Sequence, residues 1–83
     1  MPVTAALIEA RIRAALPPDA EVDVSDTTGG GDHWAVIVVS SAFHHKTLVE
    51  RHRMIYTALG ELMRVEIHAL ALTTDTPEEY KRT

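Results

Sequence analysis

Two apolar segments separated by a long helical pattern constrain the fold more than any other feature of the sequence. The first, HWAVIVVSS, begins at His33, and the second covers about residues 66–73. Both have the length and apolar character of β-strands. The segment between them opens with a capping box, Thr47-Leu48-Val49-Glu50, and keeps a helical apolar repeat to about Met63. A helix that joins two strands of one sheet forms a crossover, so the two strands are predicted to be parallel.

The remaining segments complete a small α+β pattern. Residues 3–16 have helical apolar spacing that ends at Pro17-Pro18, and AEVDVSD alternates like a half-buried strand. The glycine-rich loop TTGGGD then leads into the central strand, and TPEE, a second capping box with proline at the first helical position, predicts a short terminal helix. We expect a three-stranded sheet with helices packed on at least one face. In the long helix, the apolar stripe is predicted to contain Leu48, Ile55, Leu59 and Leu62, with His52 among them.

Length and composition narrow the classes of function. The 83 residues predict one domain, 1–83. The absence of cysteine excludes a thiolate nucleophile and a metal site built from the chain's own thiolates, and no enzyme activity is expected. No apolar run is long enough to span a bilayer, so we expect a cytoplasmic protein without a membrane partner. The net charge of −4 disfavours nucleic acid, which stays an alternative through Arg51, Arg53, Arg64 and Lys46.

Five histidines are the most unusual feature of the composition. Parallel strands begin at the same edge of a sheet, so His33 and His68 are predicted to lie close together. The pair could bind a metal, with Asp32 as a further oxygen ligand. Alternatively, His68 is half-buried against a backbone group and His33 is solvated. Two imidazoles are too few for a complete metal site, so firm binding would need ligands from a partner.

The other three histidines have simpler interpretations. His52 is predicted to be a packed residue with one ring nitrogen satisfied. His44 and His45 are predicted to be solvated, or to cap a short helical turn before the long helix. Arg51 and Arg53 are then solvated neighbours of His52.

Three ordered motifs resemble the BolA-like protein family. HWAVIVVSSAF resembles its central strand, ERHRMIYTALGEL its signature helix, and IHALAL followed by TPEEY its last strand and terminal turn. The resemblance covers about residues 33–80. It implies an α+β fold similar to a class II K-homology domain, with a three-stranded mixed sheet and elements in the order α-β-β-α-α-β-α. One departure is His45, which stands where the family has glycine and is expected to alter the turn into the long helix.

The resemblance also implies a function. Members of the family bind a monothiol glutaredoxin and share a [2Fe–2S] cluster with it in iron–sulfur trafficking or iron regulation. The family's cluster-binding histidines correspond to His33 and His68 here, and the glutaredoxin cysteine and its glutathione supply the other ligands. No cofactor is expected in the isolated chain, and its dimerisation is left open. Two alternatives remain: a nucleic-acid-binding transcriptional regulator, and a plain interaction module that binds metal only incidentally.

Overall fold

The protein is a three-stranded sheet with helices, seen in a computed structural model that describes residues 3–65, 67 and 69–81. None of the helices in these ranges has the length and hydropathy needed to cross a bilayer. A single turn of 3-10 helix, Ser41–Phe43, precedes the long helix. The elements are α1 (Ala5–Ala14), β1 (Glu21–Asp26), β2 (His33–Val39), α2 (Leu48–Leu59), α3 (Leu62–Val65), β3 (Ala69–Asp75) and α4 (Pro77–Lys81).

The sheet has the predicted mixed topology, in the strand order β1-β2-β3. β1 and β2 are antiparallel, from Glu21 opposite Val39 to Asp26 opposite Trp34. β2 and β3 are parallel, and their register begins with His33 opposite Ala69. The α+β class, the order of elements and the parallel crossover are therefore confirmed. The similarity to a K-homology domain stays a prediction.

The hydrophobic core lies on one face of this sheet. The alternate residues Trp34, Val36 and Val38 of β2 are buried, while Ile37 points to the other face and is 39% exposed. β2 is thus a central strand whose core-facing side is buried; on its other side Ile37 is exposed, whereas Val39 at the end of the strand is buried. The residues packed over the buried face come mainly from the helices and the 3-10 turn: Ile8, Ile12, Phe43, Ile55, Leu59 and Leu62.

The extent of the buried stripe and the length of the long helix differ from the prediction. Ile55 and Leu59 are buried as expected, but Leu48 is 61% exposed and lies outside the core. The helix also ends at Leu59 instead of Met63, because Gly60 adopts a positive φ of 54° and the chain restarts as α3 at Leu62. A left-handed residue cannot continue a right-handed helix, so apolar spacing alone overestimated the length of α2.

The turn before α2 accommodates His45 in a conformation that favours glycine. His45 has φ 62°, and it is the one non-glycine residue with positive φ in the described part of the chain. The capping box that follows is intact: the Glu50 amide donates to Thr47 Oγ1 over 3.1 Å, and the Thr47 amide donates to Glu50 Oε1 over 2.8 Å. The latter bond lowers the pKa of Glu50. We conclude that His45 is strained but does not disrupt the entry into α2.

The terminal helix α4 is attached to the body of the protein by ion pairs. Arg51 of α2 donates from Nη1 to Glu79 Oε1 over 2.7 Å and to the Thr74 carbonyl over 3.3 Å. Its side chain is only 12% exposed, so the prediction that Arg51 is solvated is wrong. Glu79 also accepts the Thr76 amide in a second capping box. A further pair joins His44, just after the 3-10 turn, to Glu78.

Replacing His45 by glycine should stabilise the fold. A non-glycine residue in the left-handed region destabilises the fold by about 1–2 kcal/mol. Glycine removes this strain, but it also increases the conformational entropy of the unfolded chain, which offsets part of the gain. We expect the free energy of unfolding of His45→Gly to rise by about 0.5–1 kcal/mol, measured by urea denaturation. His45→Ala keeps the Cβ and should show little gain. An equal gain from alanine would show that backbone strain is not the cause.

Because of the Arg51–Glu79 ion pair, the free energy of unfolding should decrease as the pH falls into the acid range. The Arg51 guanidinium, followed by the Thr76 amide, lowers the pKa of Glu79 from 4.5 to about 2. A carboxyl whose pKa falls on folding stabilises the native state above its unfolded pKa, and this contribution disappears as the pH falls through the folded pKa. Wild type should therefore exceed Glu79→Gln in stability at neutral pH, and the difference should shrink between about pH 5 and pH 2. Urea denaturation across this range measures it.

The control for this experiment is Glu61→Gln, which changes an exposed glutamate in the turn after α2. Its stability should follow that of the wild type at every pH. A constant difference between wild type and Glu79→Gln down to pH 2 would contradict an ion pair as the source of the dependence.

Candidate functional site

The loop that leads into β2 is organised around one carboxylate, that of Asp26. Its oxygens accept the amides of Thr28 over 3.2 Å, Gly29 over 2.9 Å and Gly31 over 2.9 Å. The Gly31 carbonyl in turn accepts the indole N–H of Trp34, a core residue, over 3.2 Å. The glycine-rich segment is therefore a compact turn wrapped around Asp26 and attached to the core at its far end.

Glycine is required at Gly29 and Gly31 by backbone conformation. Both residues have φ 79°, and a Cβ added to either would meet no atom within 4 Å. The left-handed φ explains the glycines, because the space around them is open. Side chains at these positions would hinder the turn that presents the amides to Asp26.

His33 stands at the exit of this loop, as the first residue of β2. It is half-buried, and its carbonyl accepts the Thr27 amide over 3.0 Å. The register pairs it with Ala69, whose amide donates to the Asp32 carbonyl over 3.2 Å. The predicted second ligand, His68, lies outside the described residues. The parallel register needed for the pairing is present, since the residue after His68 in the sequence lies opposite His33.

Among residues 3–65, 67 and 69–81, no three histidine or acidic side chains converge as a metal site. Asp32 contributes its backbone carbonyl to the sheet edge, where it accepts the Ala69 amide. The His33–His68 site therefore stays a prediction. The structure describes three features of this site: the position of His33, the register of β2 with β3, and the loop that holds both in place.

His52 is less packed than the sequence predicted. It is half-buried and lies one turn from both Leu48 and Tyr56, and its ring meets that of Tyr56 edge-on at a centroid distance of 6.3 Å. Its Nε2 atom is covered from solvent and has no hydrogen-bond partner in the part of the chain that the structure describes. His52 thus lies at the margin of the side of α2 that carries Ile55 and Leu59, and it lines a surface groove.

His44 has a defined structural role, whereas His45 is exposed. The Ser41 carbonyl accepts a hydrogen bond from His44 Nδ1 over 3.0 Å, and Glu78 pairs with Nε2. Both partners are acceptors, so the doubly protonated imidazolium is favoured. The bond to Glu78 is the main cause of a raised pKa at His44 and of a lowered pKa at Glu78. The predicted cap of a short helical turn is confirmed at His44.

The four basic residues that were predicted to contact nucleic acid do not form a single, uniformly exposed cationic surface. Arg51 forms an ion pair with Glu79, and its Cζ atom lies 5.8 Å from the centroid of the Phe43 ring. Lys46 and Arg53 are exposed near the N-terminal half of α2, and Arg64 is exposed on α3, beyond the Gly60 turn. Three of the four side chains are therefore available to solvent: one in the turn before α2, one on α2 and one on α3.

Sequence reasoning missed two residues that shape the site. Asp26 was assigned only to the end of a strand, although an aspartate before a glycine-rich loop is a recognisable signal for side-chain-to-backbone turns. Glu79 was assigned to a capping box, which is correct, but its pairing with Arg51 spans 28 positions. No local pattern reveals such a long-range contact.

Comparisons with known proteins agree with the fold and the motifs. The family model described as BolA-like protein matches residues 12–79. The Arabidopsis thaliana protein BOLA2 is 43% identical over 95% of this chain and 85% of its own length. The DNA-binding transcriptional regulator BolA of Escherichia coli is 36% identical over 89% of this chain and 76% of its own. A solved BolA homologue from Coxiella burnetii is 37% identical, with a TM-score of 0.79 over 96% of this chain and 99% of its own. The chain belongs to the BolA-like protein family.

Proposed function

We propose that the protein is a non-enzymatic adaptor that binds a monothiol glutaredoxin and shares a [2Fe–2S] cluster with it through His33 and His68. The observation that carries the proposal is the parallel register of β2 and β3. It sets His33 opposite Ala69, the residue that follows His68 in the sequence. Family membership supports the partner, because the motifs containing both histidines resemble those of the family.

The residues of the chain could supply two of the four ligands of such a cluster. A [2Fe–2S] cluster is held by four ligands, most often thiolates, and the chain has no cysteine to provide one. Imidazole replaces thiolate in some such clusters and makes them easier to reduce. His33 is half-buried at a sheet edge, so it is both positioned by the fold and reachable from outside. The glutaredoxin cysteine and glutathione would supply the thiolates.

Removing either histidine should weaken the cluster without unfolding the chain. We expect His33→Ala and His68→Ala, each mixed with glutaredoxin, glutathione, iron and sulfide, to change the visible circular dichroism of the cluster and shorten its lifetime. His44→Ala is the matched control, because its ring is engaged with Ser41 and Glu78 away from the sheet edge. Unchanged cluster spectra and lifetimes in both ligand variants would contradict the assignment.

The same proteins distinguish an adaptor from a plain interaction module. An adaptor that ligates the cluster should bind loaded glutaredoxin more tightly than cluster-free glutaredoxin, and His68→Ala should remove that difference. Calorimetry under anaerobic conditions measures both affinities. Equal affinities for the two forms of glutaredoxin would favour the module.

One relative's name favours a second candidate function. The E. coli protein named a DNA-binding transcriptional regulator is 36% identical to this chain. Lys46, Arg53 and Arg64 are exposed and would contact phosphates, whereas Arg51 is held by Glu79. The negative net charge opposes this function.

Salt-dependent binding to duplex DNA tests the second candidate. If Arg53 contacts a phosphate, Arg53→Ala should reduce the slope of log affinity against log salt by about one. Fluorescence anisotropy with labelled duplexes measures the slope, and Arg11→Ala on helix α1, which is outside the proposed set of phosphate contacts, is the control. No saturable binding at low salt would remove this candidate.

A further inference from the structure

The outward side of α2 carries an apolar groove that the fold leaves uncovered. It is lined by Leu48, Val49, His52, Arg53 and Tyr56, which we call the α2 groove. Leu48 is 61% exposed, Val49 59% and Tyr56 41%. These three are among the most exposed large hydrophobic residues that the structure describes, and all belong to one helix. Exposed apolar side chains that adjoin one another, unlike single scattered ones, are a feature of interaction sites.

The exposure has two causes. Ile55 and Leu59 occupy the side of α2 that faces the core, and both are fully buried. Leu48 is seven residues before Ile55, so it lies on nearly the same side, but it is the first residue of the helix and is exposed there. Val49 and Tyr56 lie on other sides of the helix, away from the core. α2 therefore carries exposed apolar residues that folding does not use.

His52 contributes an imidazole ring to the wall of the groove. The ring lies between the aliphatic end of the groove and Tyr56. Its Nε2 is covered from solvent by the chain itself and has no hydrogen-bond partner within the described residues, so this nitrogen is not offered to an occupant of the groove.

The charge of the groove indicates the chemistry of that occupant. Arg53 is the one formally charged residue among the five that line it. The nearby Glu50 is engaged by Thr47 in the capping box and lines a different groove. The chain as a whole is acidic, with a net charge of −4. A local cation beside exposed aliphatic side chains is complementary to an aliphatic segment that carries a carboxylate.

The backbone of the groove favours a helical occupant. The backbone amides and carbonyls of α2 are hydrogen-bonded to each other within the helix. An extended peptide would therefore find no unpaired strand edge in the groove with which to pair. A helix satisfies its own backbone and can lay an apolar face along Leu48, Val49 and Tyr56. Leu48 and Tyr56 are eight residues apart, about 12 Å along the axis, which matches about two turns of a partner helix.

We propose that the α2 groove binds an amphipathic helix of a partner protein that presents aliphatic side chains flanked by a carboxylate. A second copy of this chain fits less well: two-fold antiparallel packing centred on His52 would bring the two Arg53 side chains together as like charges. Nucleic acid also fits less well, because the floor is apolar and has one cation. The proposal concerns α2 and is independent of the cluster site at His33.

Two synthetic peptides test the proposal. Both are about 18 residues long, with the same leucine face; one flanks it with glutamate and the other with lysine. We expect the glutamate peptide to bind about two- to fivefold more tightly at low salt, as is usual for an exposed ion pair. Fluorescence anisotropy gives the affinities. Amide shifts in ¹⁵N-labelled protein should concentrate on Leu48, Val49, His52 and Tyr56.

Variants of the chain provide the controls. Val49→Asp should abolish binding of the glutamate peptide, and Arg53→Glu should reverse the preference between the two peptides. Leu7→Asp changes an exposed leucine on α1 and should bind like wild type. Circular dichroism of each variant confirms that it is folded.

Several outcomes would overturn the proposal. These are no saturable binding of the glutamate peptide, equal binding of both peptides, or amide shifts centred away from α2. Sedimentation showing a dimer of the free chain that Val49→Asp dissociates would assign the groove to a second copy. Shifts of the same amides on adding duplex DNA but not peptide would assign it to nucleic acid. None of these results bears on cluster binding through His33 and His68.

Discussion

The parallel pairing of β2 with β3 is the contact on which the rest of the structure depends. Parallel neighbours cannot be joined by a tight turn, so the chain must cross the sheet through α2. The crossover covers the sheet with a helix and supplies Ile55 and Leu59 to the core. It also brings the starts of two strands to one edge, where His33 and Ala69 face each other. Fold and candidate site thus follow from the same topological constraint.

The Arg-His-Arg motif of α2 divides its three side chains between different tasks. Arg51 turns inward to Glu79 and the Thr74 carbonyl, and thereby attaches the terminal helix. His52 and Arg53 turn outward and line the α2 groove. In the sequence this motif looks like a cluster of positive charge. In the structure, one of its side chains holds the terminal helix and the other two line the surface groove. Adjacent positions on a helix point about 100° apart, which is the geometric reason for the division.

Local patterns predicted this fold well, and long-range contacts account for most of what they missed. The strict alternation of β1 and the capping boxes at Thr47 and Thr76 are properties of a few neighbouring residues, and both are present. The exposed Leu48 was misplaced, because apolar spacing specifies one side of a helix but not how far along the helix the contact with the core extends. The candidate site was predicted only as far as topology allows, since the register fixes His33 while His68 lies outside the described residues.

The turn around Asp26 has a consequence for how the neighbourhood of His33 meets a partner. Three backbone amides are already tied to one carboxylate, so the conformational entropy of this segment is lost when the chain folds. A surface ordered in advance has less to lose on association, and its affinity is correspondingly higher for the same contacts. The glycines that look like a flexible hinge in the sequence thus build a preorganised support, and its rigidity depends on a single acidic side chain.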